Sequence, residues 1–209
     1  MVDWPTVASL ATALGTLVLA IATFAAVRSA NRAALAAEHS LLAGLRPLLV
    51  AARPQDPPQK VMWRDQHFAQ AEGGRAVVEV DDDVVYLAAA LRNAGNGLAL
   101  LHGWYPYAHR LEADMDHAPP ERFRRITRDL YVAAGDVGFW QGAIRNGDDP
   151  YRADMLAAIE AHDPLTVDLL YGDHEGGQRA IVRFALTPIE PGYLFSPVRY
   201  WNIDLPDPR

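Results

Sequence analysis

Four arginines crowd into seven positions of this chain, Arg122, Arg124, Arg125 and Arg128. A guanidinium is a planar fork of donors that stays charged throughout the physiological range, so a dense group of them takes phosphate or carboxylate by bidentate hydrogen bonds. If such a patch faced a bilayer it would meet lipid headgroups. Glu121 and Asp129 flank it, and charge runs also serve as solvated surface. An anion or partner patch and a solvated face are therefore both open.

The other polar groupings are less pointed. Asp81, Asp82 and Asp83 offer oxygens to calcium, with Asp173 or Glu175 from another loop, but the spacing is not that of an EF-hand. A solvated turn is the expectation. His174-Glu175 has Gln178 and Arg179 where a zinc protease needs its second histidine. His102, His109 and His117 are seven and eight apart, which matches no helical metal pair. The absence of cysteine excludes disulfides, thiolate metal sites and thiol nucleophiles. No nucleophile elbow, Walker loop or dinucleotide fingerprint occurs, and Gly95 and Gly97 lead into a strand where a phosphate loop leads into a helix. The expectation is a non-enzymatic chain with no catalytic residue, cofactor or metal.

The elements that must position these residues begin with one apolar run. Pro5 to Val27 holds no charge over 23 residues, enough at ~1.5 Å per residue to cross a ~30 Å hydrocarbon core with some tilt. Trp4 suits the interface and Pro5 the first helical turn. A cleaved signal peptide would carry a basic leader; Met1 to Trp4 carries Asp3 and no base. The expectation is a transmembrane helix over 1–28. Arg28, Arg32 and Arg46 follow the run and no base precedes it, so the positive-inside rule places the following domain in the cytoplasm, at the inner membrane of a bacterium. The 18 arginines against one lysine fit a GC-rich genome.

Within the span, Leu10, Leu14, Leu17, Ile21 and Phe24 form a bulky stripe. Ala8, Thr12, Thr16 and Ala20 form a small one, at a spacing that lets a second helix approach. A plain Ala-rich anchor shows the same stripe. The residues 29–46 lack proline, and Ala30, Ala34, Ala37, Leu41, Leu45 and Leu48 repeat at near-heptad spacing, an amphipathic stalk that Pro47 ends.

From 47 to 209 short apolar runs alternate with Gly, Pro, Asn and Asp, the texture of a mainly β domain; an immunoglobulin-like β-sandwich is the expected fold. Strands are expected at 48–52, 77–80, 84–92, 98–107, 130–134, 139–144, 165–171, 179–186 and 198–205, with a helix at 151–162. The 53–74 stretch is expected to be a long loop. Val84 to Arg92 is nearly continuous in apolar residues, so it should be buried on both faces. Trp104, Tyr105 and Tyr107 are expected to cap the core. The net charge is −7, and of 26 acids only Asp3 and Glu38 precede Arg46. An acidic domain is a poor partner for nucleic acid.

Leu87 to Ala99, L-A-A-A-L-R-N-A-G-N-G-L-A, resembles the strand and R-N-x-G-x-G segment of uncharacterised bacterial membrane-anchored proteins, with Leu98 where those carry proline. The later Leu169-Leu170-Tyr171-Gly172-Asp173 also fits their layout. The resemblance implies a membrane span, a helical stalk and a β-sandwich, and no particular activity. Together these features lead to the expectation of a membrane-tethered interaction module. Its partners would be the bilayer and either another protein or a second copy of the chain. A structural subunit assembled through the span, or an enzyme with a site scattered over loops, are the alternatives.

Overall fold

The computed structural model describes residues 3–207. The chain divides into two units, Met1–Gly44 and Leu45–Arg209. The first is a single helix, α1 (Trp4–Gly44), 41 residues without a break. Its length is about 60 Å at the rise of an α-helix. Its most apolar 18-residue window has a mean hydropathy of 2.2, and none of that window is buried. The helix is thus long and apolar enough to cross a membrane. Its threonines turn their hydroxyls inward: Thr12 donates to the Ala8 carbonyl at 2.9 Å, Thr16 to Thr12 at 2.9 Å and Thr23 to Leu19 at 2.8 Å. Every polar group so closed onto the helix is satisfied without water.

The second unit is mainly β, as its texture implied. In chain order it comprises β1 (Leu49–Ala51), β2 (Gln59–Met62), β3 (Phe68–Ala71), β4 (Arg75–Asp81), β5 (Val84–Asn93), β6 (Ala99–Tyr107), β7 (Arg124–Arg125), β8 (Tyr131–Val132) and β9 (Val137–Ile144). Then follow α2 (Arg152–Glu160), β10 (Leu165–Gly172), β11 (Ala180–Pro188) and β12 (Tyr193–Asn202). Ten strands make one antiparallel sheet in the order β1-β5-β4-β12-β11-β10-β6-β7, with β9 also on β5 and β8 also on β6.

The sheet has two halves, joined where β4 and β12 share only two residue pairs, Ala76 with Tyr193 and Arg75 with Leu194. The halves face each other. Leu87 and Leu91 of β5, Trp140 of β9, Leu169 of β10 and Phe184 of β11 meet in one buried cluster with Met155 and Ala158 of α2. Trp104 of β6 and Trp140 of β9 pack with ring centroids 5.7 Å apart. Gly142 permits this approach, because a Cβ there would lie 2.6 Å from the Trp104 indole.

The continuous apolar run of β5 is explained by a second layer. Val85, Leu87, Ala89 and Leu91 face the main cluster, whereas Tyr86, Ala88 and Ala90 lie under Ala52, Val61, Trp63 and Ala71. The cover is the β2–β3 hairpin, paired from Gln59–Ala71 to Met62–Phe68. This corrects the expectation of a loop over 53–74. Each of these strands offers only one or two inward apolar residues, too few for a period to show. They become strands because the outer face of β5 needs a lid.

The outer face of the other half is covered too. Leu170, Ile181 and Trp201 pack with Tyr105, Ala118 and Phe123. Asp168 and Arg183 are fully buried there. Arg183 points away from the main core, as alternation required, but it meets a covering segment and not water. It donates to both Asp168 oxygens at 2.8 and 2.9 Å and to the carbonyls of Met115 at 2.7 Å and Asp116 at 3.1 Å. It lies between the rings of Tyr107 and Trp201. β12 begins at Tyr193, earlier than the expected 198, because it pairs with β11 as far as Pro188.

Candidate functional site

The short strand β7 sets Arg124 and Arg125 opposite Trp104 and Gly103 of β6. Arg124 lies across the Trp104 ring at 5.3 Å and the Tyr151 ring at 5.1 Å. Its Nη2 donates to Asp149 Oδ1 at 2.6 Å. That hydrogen bond holds the Asp149 carboxyl below its ordinary range. Arg124 is therefore fixed in place before any ligand arrives. Its Nε is buried and has no hydrogen-bond partner.

Two further segments complete a concavity around it. From β9 come Gln141 and, one residue past the strand, Arg145; from the β2–β3 turn comes Arg64. Gln141 Nε2 donates to Asp129 at 2.9 Å, while its Oε1 is buried without a partner. Arg145 Nε donates to Asp65 Oδ2 at 2.8 Å, and Tyr86 donates to the same oxygen at 2.8 Å. Arg145 keeps the Asp65 carboxyl far below the usual carboxylate range. Trp63 ties the hairpin to β9 by donating from Nε1 to the Gly142 carbonyl at 3.0 Å. The resulting cavity encloses about 190 Å³, and Arg64, Arg124, Arg125, Arg128 and Arg145 all line it, with Trp63 and Trp104 as apolar walls.

Of the four clustered arginines, the fold brings three to the cavity and sends the fourth elsewhere. Arg122 Nη2 donates to the Tyr151 hydroxyl at 2.9 Å and its guanidinium lies over Tyr105. The Tyr105 and Tyr151 hydroxyls share a hydrogen bond at 2.6 Å, and burial pushes the Tyr105 phenol up to about 12. Arg122 thus braces the outer cluster. Arg64 and Arg145, lying 58 positions before Arg122 and 20 after Arg125, were not legible as site residues. Nothing local distinguishes a turn arginine and a strand-end arginine from surface charge until the sheet closes.

The R-N-x-G-x-G segment is a structural knot. Asn93, fully buried, accepts at Oδ1 from the Leu48 and Gly95 amides at 3.1 and 3.0 Å. From Nδ2 it donates to the Gly97 and Val132 carbonyls at 2.7 and 3.1 Å. A Cβ on Gly97 would sit 1.6 Å from the Leu45 carbonyl oxygen. Arg92 clasps both oxygens of Asp56 and donates to the Gly135 carbonyl at 3.0 Å. The glycines admit backbone, not phosphate.

Asp82 and Asp83 form the two-residue turn between β4 and β5, with φ of 45° and 63°. Asp83 pairs with Arg152 at 3.3 Å. Among the described residues no three His, Asp or Glu side chains converge as metal ligands would. His102 is half-buried on β6, and burial lowers its pKa. Trp104 and Tyr105 are buried on opposite faces of β6, in the main and outer clusters. On α1, Ala8, Thr12, Thr16 and Ala20 are all exposed. No protein family, curated protein or solved structure matches this chain.

Proposed function

We propose that this chain is a membrane-tethered, non-enzymatic interaction module, with α1 as its anchor and the cationic cavity of the β domain as its recognition site. The observation that carries the tether is the wholly unburied apolar window of α1. Leu10, Leu14, Leu17, Leu19, Ile21 and Phe24 are each more than half exposed. Removing six such side chains from water stabilises the chain by on the order of 10 kcal/mol, and a bilayer provides the place. The recognition part is supported by the chemistry of the lining. Arginine does not exchange protons near neutral pH, so a cavity built of it holds charge and does not shuttle it.

Arg28, Arg32 and Arg46 support an inner-membrane location with the β domain in the cytoplasm. Kinship with the anchored proteins sharing the R-N-x-G-x-G segment belongs to the same proposal, and so does the immunoglobulin-like sandwich. Two sheet halves converging on one apolar cluster support the latter. The test is extraction of cell membranes with alkaline carbonate. The full chain should stay in the pellet and enter solution only with detergent; release by carbonate alone would end the tether reading. The chain has no cysteine of its own, so single cysteines introduced beyond Arg46 would report the side on which the domain lies.

A second reading is favoured by the hydroxyls of Thr12 and Thr16, which fold onto the helix and leave the small-residue face smooth. On that reading α1 pairs with another copy or with a partner helix. Replacing Thr12 and Thr16 by Leu would then abolish the crosslinked species while leaving membrane insertion intact. An unchanged crosslinking pattern would dismiss it.

A further inference from the structure

We propose that the cavity between β7, β9 and the β2–β3 turn binds a dianionic phosphoryl group of the phosphomonoester class. This deepens, and rests on, the reading of that cavity as the recognition site. Charge is the first argument. Five guanidiniums line the cavity, and three carboxylates, Asp65, Asp129 and Asp149, are bonded to its lining side chains. An excess of two positive charges remains. Among the described residues Arg64, Arg125 and Arg128 have no ion-pair partner, so the excess lies on groups free to close on a ligand. A phosphomonoester carries about −1.5 to −2 at neutral pH.

Geometry is the second. The arginines come from three separate stretches of chain, around 64, 124–128 and 145, and so approach from several directions. A carboxylate is satisfied by one planar fork, whereas the three oxygens of a phosphoryl group take donors from around a tetrahedron. The Arg124 guanidinium is held by Asp149 and two aromatic rings, so this part of the wall is fixed before a ligand arrives.

Size and lining give the third. The cavity of about 190 Å³ exceeds a phosphoryl group alone, since one water occupies about 30 Å³ of liquid. The remainder lies beside Trp63 and Trp104. The indoles suit the carbon skeleton of the alcohol part of the ester. The phosphoryl group belongs either to a small soluble ester or to a lipid headgroup, with the same donors holding both.

The test uses the full chain in neutral detergent, titrated calorimetrically with glycerol 3-phosphate at pH 7.5, with sodium sulfate and sodium acetate as comparison anions. Saturable binding is expected, at least tenfold tighter than to acetate, and at least tenfold weaker at pH 5, where the ester is a monoanion and the arginines are unchanged. Arg125→Gln with Arg128→Gln, both exposed and unpaired, should weaken it tenfold or more without moving the thermal midpoint. Gln141→Glu, which adds negative charge to the wall, should abolish it. A second arm places the chain in nanodiscs containing phosphatidic acid or, separately, phosphatidylglycerol. Loss of glycerol 3-phosphate binding only with phosphatidic acid assigns the site to a lipid phosphomonoester; binding retained in both assigns it to a soluble one. Absence of saturable binding in detergent, equal affinity for acetate, or indifference to the double substitution would overturn the proposal. A chain that stays in carbonate-washed membranes yet binds no phosphomonoester loses this inference alone; one that is released yet binds it loses only the tether.

Discussion

Asn93 shows how much a single side chain does here. It is fully buried and its amide makes four hydrogen bonds to backbone, joining the segment before β1, the β5–β6 turn and β8. Asn93→Ala leaves two amides and two carbonyls short of a partner, at about 1–3 kcal/mol for a buried unsatisfied group. The expected loss is about 3 kcal/mol or more in urea unfolding, with no change in phosphate affinity per folded molecule. Arg183 is the second such residue. Burial pushes its partner Asp168 above the ordinary carboxylate range, against the pull of the guanidinium. The pair is therefore costly to keep and costlier to break. Arg183→Met strands a buried carboxylate and frees the carbonyls of Met115 and Asp116, so a loss of about 3–5 kcal/mol is expected in the same measurement. An unchanged unfolding midpoint would contradict the buried geometry.

At the scale of elements, the β4–β5 hairpin turns on two successive non-glycine residues in the left-handed region. Both Asp82 and Asp83 have positive φ, the conformation for which Asn-Gly is the preferred pair. Asp82→Asn with Asp83→Gly should raise stability by up to about 1 kcal/mol, read as a higher thermal midpoint. Loss of the exposed Asp83–Arg152 pair subtracts little. The β2–β3 hairpin shows the opposite relation between sequence and element. Its strands state almost nothing locally: Lys60, Met62, Phe68 and Gln70 are exposed and only Val61 and Ala71 of the strand residues are buried, with Trp63 in the turn. Its existence depends on Tyr86, Ala88 and Ala90 across the gap. β5, β6, β10 and β11 were legible for the converse reason, since long runs of apolar side chains declare burial without help.

For the whole molecule, acid should act through its arginine-bound carboxylates. Asp56, Asp65, Asp149 and Asp204 are each lowered chiefly by a hydrogen bond from Arg92, Arg145, Arg124 and Arg179 respectively. A carboxyl with a depressed folded pKa binds its proton more readily when unfolded. Its stabilisation is complete above the unfolded value of about 4 and is lost as pH falls below it. Asp168, raised by burial, acts in the other direction, but stands alone against four. The urea midpoint of the domain in the full chain should therefore fall gently from pH 7 to 5, where His102, its pKa lowered by burial, takes its proton more readily unfolded, and more steeply from pH 4 downward. A midpoint that rose on acidification would mean that Asp168 dominates.

The long apolar helix, the mainly β texture of the rest and the arginine-dense 122–128 stretch are properties of neighbouring residues, and composition and periodicity alone determined them. Which arginines act together is a different kind of fact. Arg122 leaves the group for Tyr151, while Arg64 joins it from a distant turn and Arg145 from a distant strand end. The same holds for the hairpin over β5 and for Arg183, whose outward direction is local but whose burial is not. Side-chain alternation follows from the geometry of one strand. What lies against the outward face depends on how a ten-stranded sheet bends and which loops return over it, and only the tertiary structure decides that.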